Sequence, residues 1–444
     1  MPVDPDRPLA VCQRRRARRL AYWNAALWGI GNGLTSTTLV VYLATQLGAP
    51  RIGLAVSLIL AARHVVGLLR LGTPALIGRL ADRKRFCLGT YLASGLVLFG
   101  LPFAAAPGVL SSAGASLAAL VVLWCLYHLL EYLGTIALWS WLADLVPLRI
   151  RGRFLGRREL WMTGGVAVAM LDAGLFAWGW QDLHPLLPKW IAYAIPAGLG
   201  ACFLVASLVP LMLMPRAATS PTVCRGATLR AMLAPFADAR FLRLLLFGCW
   251  FSFFNGVTQS AQNLYPIQVL GISLFLSLAV QTGMRCGQMG VSPWLGGLAD
   301  RLGNRPVMMF SLLVVATGPL FFLVATPEQW WWFIGAWVVW IAYAGLNVCL
   351  PNLMLKLSPR DSNTPYIATY YTATGLCYAA STIAGGELFD RLQDATFVLF
   401  GGALVWDFYQ VSFLMGWATR SLGVLLLLLV VENPGPRAER QMPS

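Results

Sequence analysis

Runs of about twenty apolar residues recur along the whole chain, separated by short polar or charged segments. A run of that length crosses a hydrocarbon core of about 30 Å as an α-helix. Twelve spans are predicted, near 20–47, 52–77, 86–107, 113–143, 159–180 and 190–214, then 241–269, 273–296, 306–326, 330–355, 365–388 and 410–431. The runs are continuously apolar rather than alternating, which argues against a β-barrel. The pattern predicts an all-α polytopic membrane protein with 12 transmembrane helices in two pseudo-symmetric six-helix bundles. Its parts are a basic tail (1–19), a first bundle (20–214), a linker (215–240), a second bundle (241–431) and a C-terminal tail (432–444). The linker carries Pro215, Ser220 and Pro221 and is the longest polar stretch between spans.

Composition agrees with the pattern. Hydrophobic residues make up 58% and charged residues 11%, against about 25% charged in a soluble domain. The net charge of +15 would suggest nucleic acid in a soluble protein, but here the charge sorts by side. With the N-terminus inside, 26 of the 33 Lys and Arg lie in or beside the cytoplasmic segments. Only Arg51, Lys189 and Arg391 fall outside, and Arg63, Arg70, Arg285 and Arg420 fall within spans. That bias places both termini in the cytoplasm. The run Arg14-Arg15-Arg16-Ala17-Arg18-Arg19 needs no partner beyond anionic headgroups of the lipid bilayer, so no nucleic acid is expected. The polar start lacks the build of a cleaved signal peptide. Nine cysteines without a CxxC read as small buried hydrophobes. No Walker or HExxH sequence occurs; no cofactor, metal site or enzymatic activity is expected.

One sentence is spoken twice. Gly78-Arg79-Leu80-Ala81-Asp82-Arg83-Lys84-Arg85 returns as Gly297-Leu298-Ala299-Asp300-Arg301-Leu302-Gly303-Asn304-Arg305, 218 positions later by its Asp residues. The first spans match as well. Asn32-Gly33-Leu34-Thr35 parallels Asn255-Gly256-Val257-Thr258, and Tyr42 and Gly48 parallel Tyr265 and Gly271, all at an offset of 223. Parallel six-helix repeats place a substrate site near the bilayer midplane, between the halves.

Gly-x-Leu-Ala-Asp-Arg-x-Gly-x-Arg between spans 2 and 3, repeated between spans 8 and 9, resembles the major facilitator superfamily. The second copy is a full match; the first lacks the glycine between its arginines. Pro147-Leu148-Arg149-Ile150-Arg151-Gly152-Arg153 is similar to the family's loop between spans 4 and 5. The Gly-Pro pattern of the family's antiporters on span 5 is missing. The resemblance implies alternating access, with spans 1, 4, 7 and 10 facing a central cavity. It also implies a cytoplasmic latch built from Gly78, Asp82, Arg83, Arg85, Asp144, Arg151, Gly297, Asp300, Arg301 and Arg305. Gly78 and Gly297 would let helices approach closely. Asp82 and Asp300 would accept bonds from the N-terminal amides of a neighbouring helix, where the dipole favours an anion. The plainer reading of these residues is a solvated basic loop that only sets topology.

Charges inside the spans need a reason, since each costs at least about 2.5 kcal/mol at the bilayer centre. Arg63 and Arg70 share a face of span 2, His128 and Glu131 stack on span 4, Asp172 lies on span 5 and Arg285 on span 8. In the functional reading, Arg285 and one span-2 arginine hold an anionic substrate group. Glu131 or Asp172 then carries the coupling proton, because desolvation favours a neutral carboxyl. In the structural reading the five charges other than His128 form ion pairs between helices, with Arg70–Glu131 one such pair and Asp172 near Arg63. Asn32, Asn255, Gln259 and Asn347 are polar candidates for the cavity wall. They would otherwise make interhelical bonds, each worth under about 1 kcal/mol.

The sequence therefore points to a monomeric secondary active transporter in the plasma (inner) membrane. It would move a small polar, anionic solute and be proton-coupled. The alternatives are a multidrug-type efflux carrier for amphipathic compounds and a non-transporting carrier-like sensor or assembly factor.

Overall fold

A computed structural model describes residues 11–72, 82–145, 151–215, 234–358, 363–399 and 404–432. In chain order the helices are α1 (Val11–Leu34), α2 (Thr37–Thr45), α3 (Ile52–Val65), α4 (Arg83–Ala105), α5 (Ala113–Leu145), α6 (Arg151–Leu183), α7 (Lys189–Ala206) and α8 (Leu208–Leu213). They continue as α9 (Ala239–Val257), α10 (Gln259–Gln268), α11 (Leu274–Leu302), α12 (Asn304–Ala316), α13 (Gly318–Val324), α14 (Trp332–Val339), α15 (Tyr343–Leu357), α16 (Asn363–Leu392) and α17 (Phe408–Leu428). Nine helical segments among the described residues are long and apolar enough to cross a membrane. The predicted first, eighth and eleventh spans are not among them. They carry the basic N-terminal turns, Arg285 with its flanking Gln281 and Gln288, and the Tyr/Thr-rich face of α16.

Several boundaries differ from the pattern. The first helix opens at Val11, inside the segment expected as a tail, because nothing between Val11 and Leu20 breaks a helix. Between α16 and α17, where no strand is predicted, β1 (Thr396–Leu399) pairs antiparallel with β2 (Leu404–Asp407), Phe397 opposite Trp406. Four-residue strands are too short to separate from a loop by periodicity. Asp407 then starts α17 with a capping box, accepting from the Gln410 amide at 2.7 Å. The linker residues 216–233 lie outside the described residues.

The chain forms two compact units. One comprises 1–55, 72–226 and 273–279; the other comprises 56–71, 227–272 and 280–444. In the first, α1 and α6 pack through glycine. A Cβ on Gly33 would meet the Val166 carbonyl oxygen at 2.5 Å, and one on Gly165 the Ala26 oxygen at 2.6 Å. Small residues let two backbones come this close, the usual basis of helix pairing in lipid. A core of Cys87, Tyr91, Leu138, Trp141, Leu142, Phe154 and Leu211 closes one end of this unit. In the second unit α9 packs on α16, and rings of Tyr265, Phe322, Phe333, Trp340, Tyr409 and Phe413 form a cluster of edge-to-face and tilted contacts.

The internal repeat is visible as geometry. The first predicted span is two helices, α1 and α2, broken at Thr35-Ser36; the seventh is α9 and α10, broken at Thr258. The breaks fall at the repeat-related threonines. Thr35 Oγ1 donates to the Gly31 oxygen at 2.8 Å and Thr258 Oγ1 to the Asn255 oxygen at 3.2 Å. Such back-bonding bends helices. Gly48 and Gly271, also repeat partners, both take positive φ, 57° and 64°, which favours glycine.

Candidate functional site

In the second unit, polar and cationic side chains lie on α3, α9–α11, α15 and α16. Arg63 is exposed on α3, and the next residue, His64, lays its ring 4.2 Å from that of Tyr378. Arg285, exposed on α11, is close enough to Arg63 for the two guanidiniums to repel one another. No carboxylate among the described residues offsets that repulsion at Arg285. Arg285 makes no ion pair among the described residues. The Arg70 side chain lies outside the described residues. Across the α9–α10 break runs a polar ladder. Gln259 Nε2 donates to Asn255 Oδ1 at 3.2 Å, and Asn263 Nδ2 donates to the Gln259 oxygen at 2.9 Å. These residues lie at i, i+4 and i+8, so they share one face. Asn347 is exposed on α15.

The residue that sequence reasoning passed over is Arg420 of α17. Its side chain is fully buried, and it donates to Thr258 Oγ1 at 2.8 Å, at the break itself. Gln262 Nε2 donates to the same hydroxyl at 2.9 Å. Arg420 Nε and Nη1 have no hydrogen-bond partner among the described residues. Tyr343 and Tyr378 stand within its field. The repeat offset equates position 420 with Ala197, a buried alanine, so the clamp belongs to one half only. A lone arginine in a late span was the available signal.

The first unit carries the acidic candidates. Glu131 on α5 is half-buried and accepts from Thr135 Oγ1 at 2.9 Å, and Thr135 bonds the buried Tyr91 hydroxyl at 2.9 Å. Tyr91, Thr135 and Glu131 thus form a continuous hydrogen-bonded chain that sequence spacing did not reveal. Asp172 is exposed on α6. Asn32 on α1 receives the Tyr127 hydroxyl at 3.1 Å and donates to the Trp28 oxygen at 3.3 Å. His128 is buried between the rings of Trp124 and Tyr127.

Among the described residues, the two copies of the repeated motif differ from the aspartate onward. Gly78, the Asp144 side chain and the Arg151 side chain lie outside the described residues. Asp82 is the N-cap of α4, accepting from the Arg85 amide at 3.0 Å and pairing with Arg85 Nε at 3.3 Å. Arg83 is buried. Lys84 Nζ reaches the Met212 and Met214 oxygens, both at 2.7 Å, capping α8; a lysine at a helix C-terminus suits the dipole. In the second copy the expected loop is helix: Gly297 to Leu302 continue α11. Leu, Ala and Arg sustain the helix until Gly303, whose φ of 93° ends it. Two of the expected latch contacts are not seen among the described residues. A Cβ on Gly297 would meet no atom of the described residues within 4 Å, so no close helix approach is made there by them. Asp300 is exposed inside α11 and makes no hydrogen bond or ion pair among the described residues. Its place is taken by Glu432, just past α17 and inside the segment expected as a tail. Glu432 accepts from the Arg305 amide at 2.9 Å, Asn304 Nδ2 at 2.7 Å and Lys356 Nζ at 2.7 Å. Burial pushes its carboxyl up, but the Lys356, Arg305 and Asn304 bonds outweigh that and hold it below the ordinary carboxylate range. Arg301 is exposed, and Arg305 serves through its backbone.

Two helical units with repeat-related breaks, and polar groups on the broken helices, define a polytopic membrane carrier. The model of the Major Facilitator Superfamily matches residues 22–382, and the chain belongs to that family. It is accordingly a transporter rather than an enzyme. No curated protein matches the sequence. Among solved structures, the nucleoside transporter NupG aligns at TM-score 0.66 and 14% identity, over 95% of this chain and 100% of its own. A D-xylose-proton symporter aligns at TM-score 0.67 and 13% identity, over 94% and 98%. The inward-open xylose transporter XylE from E. coli aligns at 0.62 and 13%, over 95% and 97%. At these identities the likeness is one of fold.

Proposed function

We propose that this chain is a proton-coupled secondary transporter of a small polar solute bearing an anionic group, acting in the plasma membrane with both termini cytoplasmic. One observation carries the anionic part: Arg285 lies in the field of Arg63, and neither arginine makes an ion pair among the described residues. Two like charges this near each other call for a counter-charge, and two forked guanidiniums suit a carboxylate or phosphate. The ladder Asn255–Gln259 supplies donors and acceptors for the remaining polar groups of the solute. Asn32 and Asn347 are the corresponding candidates on α1 and α15. For the proton, Glu131 is the better carrier of the two acids, since the Thr135 and Tyr91 hydroxyls extend from it as a relay. The fold hosts related transport elsewhere, in a nucleoside transporter and a D-xylose-proton symporter, both moving polar solutes. Asp82, Lys84 and Glu432 secure helix ends on the expected cytoplasmic side.

A thermal-shift screen of purified protein against small carboxylates, phosphates and neutral polar solutes tests the reading. An anion should raise the melting temperature of the native protein and not that of Arg285→Ala. A neutral solute that stabilises both equally, with no anion active, would sink it.

A further inference from the structure

We infer that α1 and α6 build a headgroup site for an anionic glycerophospholipid. A cavity of about 280 Å³ is lined by Arg19, Tyr22, Trp23, Arg157 and Trp161. The two helices contribute the same element, an arginine followed one turn later by a tryptophan: Arg19 and Trp23 on α1, Arg157 and Trp161 on α6. Both chains run in the same sense from a basic N-terminal end, so the arginines share one level and the tryptophans the next. The tryptophan rings stack at 6.5 Å with planes 29° apart, and both are exposed, Trp23 at 60% and Trp161 at 49%. Tyr22 stacks on the buried ring of Phe154 at 5.4 Å and adds a hydroxyl to the wall. The glycine contacts between α1 and α6 fix the spacing of the two pairs.

Position names the occupant. Arg157 begins a segment apolar enough to span a membrane, and Arg19 directly precedes the first predicted span. Such arginines sit at headgroup depth, with tryptophans one turn deeper, where the glycerol and first acyl carbons lie. Neither arginine has an ion pair among the described residues. A phosphodiester fits two guanidinium forks, and two net positive charges favour a phosphatidylglycerol-type headgroup over a zwitterionic one. This site would give the basic N-terminal helix a fixed lipid anchor rather than diffuse attraction.

The test is native mass spectrometry of the delipidated full-length protein titrated with phosphatidylglycerol or phosphatidylcholine. The native protein should prefer phosphatidylglycerol. Arg19→Gln and Arg157→Gln should each weaken it by about fivefold and leave phosphatidylcholine unchanged. Trp161→Leu should weaken both lipids. If Arg157→Gln proves unstable, Arg157→Lys, which keeps charge but loses the fork, should retain part of the preference. Equal binding of the two lipids, or an Arg19→Gln, Arg157→Lys double variant that binds as the native protein does, would overturn the site. So would displacement of the lipid by equimolar inorganic phosphate, which would mark a soluble-anion pocket instead.

Discussion

Replacing Arg420 by methionine should leave the protein as stable as before, or more so, while impairing transport. The buried guanidinium makes one bond, to Thr258 at 2.8 Å, and two of its nitrogens lack partners among the described residues. Losing that charge-assisted bond costs about 1.5–3 kcal/mol. Against it stand two unsatisfied buried donor groups, each worth about 1–3 kcal/mol once removed, and the desolvation of the charge itself. Methionine refills most of the volume, so the balance runs from neutral to about 4 kcal/mol in favour of the variant. Alanine differs, because the cavity it leaves costs about 2–5 kcal/mol. Tryptophan-fluorescence melts in detergent compare the three proteins, and proteoliposome uptake measures the functional loss when the α9–α10 break is unclamped. A methionine variant that melts as early as the alanine variant and transports normally would refute the reasoning. It would mean that the guanidinium is fully compensated and serves the fold alone.

The closures at the helix ends give further expectations. Glu432→Ala should cost about 2 kcal/mol: about 1 for the lost anion at the α12 N-terminus, the rest for Asn304 and the half-exposed Lys356 pair, discounted for solvent; melting curves read it directly. Because the Glu432 carboxyl is held below its ordinary value, its contribution is present above the unfolded pKa and is lost as pH falls through the folded one. The gap in melting temperature between native protein and Glu432→Gln should therefore close in acid and persist at neutral pH. Asp82→Ala should cost about 1 kcal/mol as a lost N-cap, whereas Asp300→Ala should stay within about 0.5 kcal/mol; equal effects in paired melts would contradict the asymmetry of the two motif copies.

Much of the scaffold was legible because lipid makes hydrophobic length nearly sufficient to place a helix. The repeat carried more than topology: the matched threonines mark the two helix breaks, and the matched glycines mark two left-handed turns. Identity of residue did not guarantee identity of role, however. Asp82 caps a helix and Asp300 does not, because α11 continues through the second motif as far as Gly303. The substitute anion, Glu432, comes from 132 positions away in sequence, and no local pattern announces it. The strands after α16 were hidden because they are too short to show a period, and the link of Tyr91 to Thr135 and Glu131 because it joins two helices. Arg420 was visible as a charge in a span, but its partner, a hydroxyl at a helix break, was not.

The most direct test is solute flux into proteoliposomes across a panel of small carboxylates and organic phosphates, with and without an inward pH gradient. Uptake of an anion that the gradient accelerates, abolished by Arg285→Ala and uncoupled from the gradient by Glu131→Gln, is the predicted result. Gradient-independent flux of neutral or cationic compounds through the native protein and Arg285→Ala alike would contradict it.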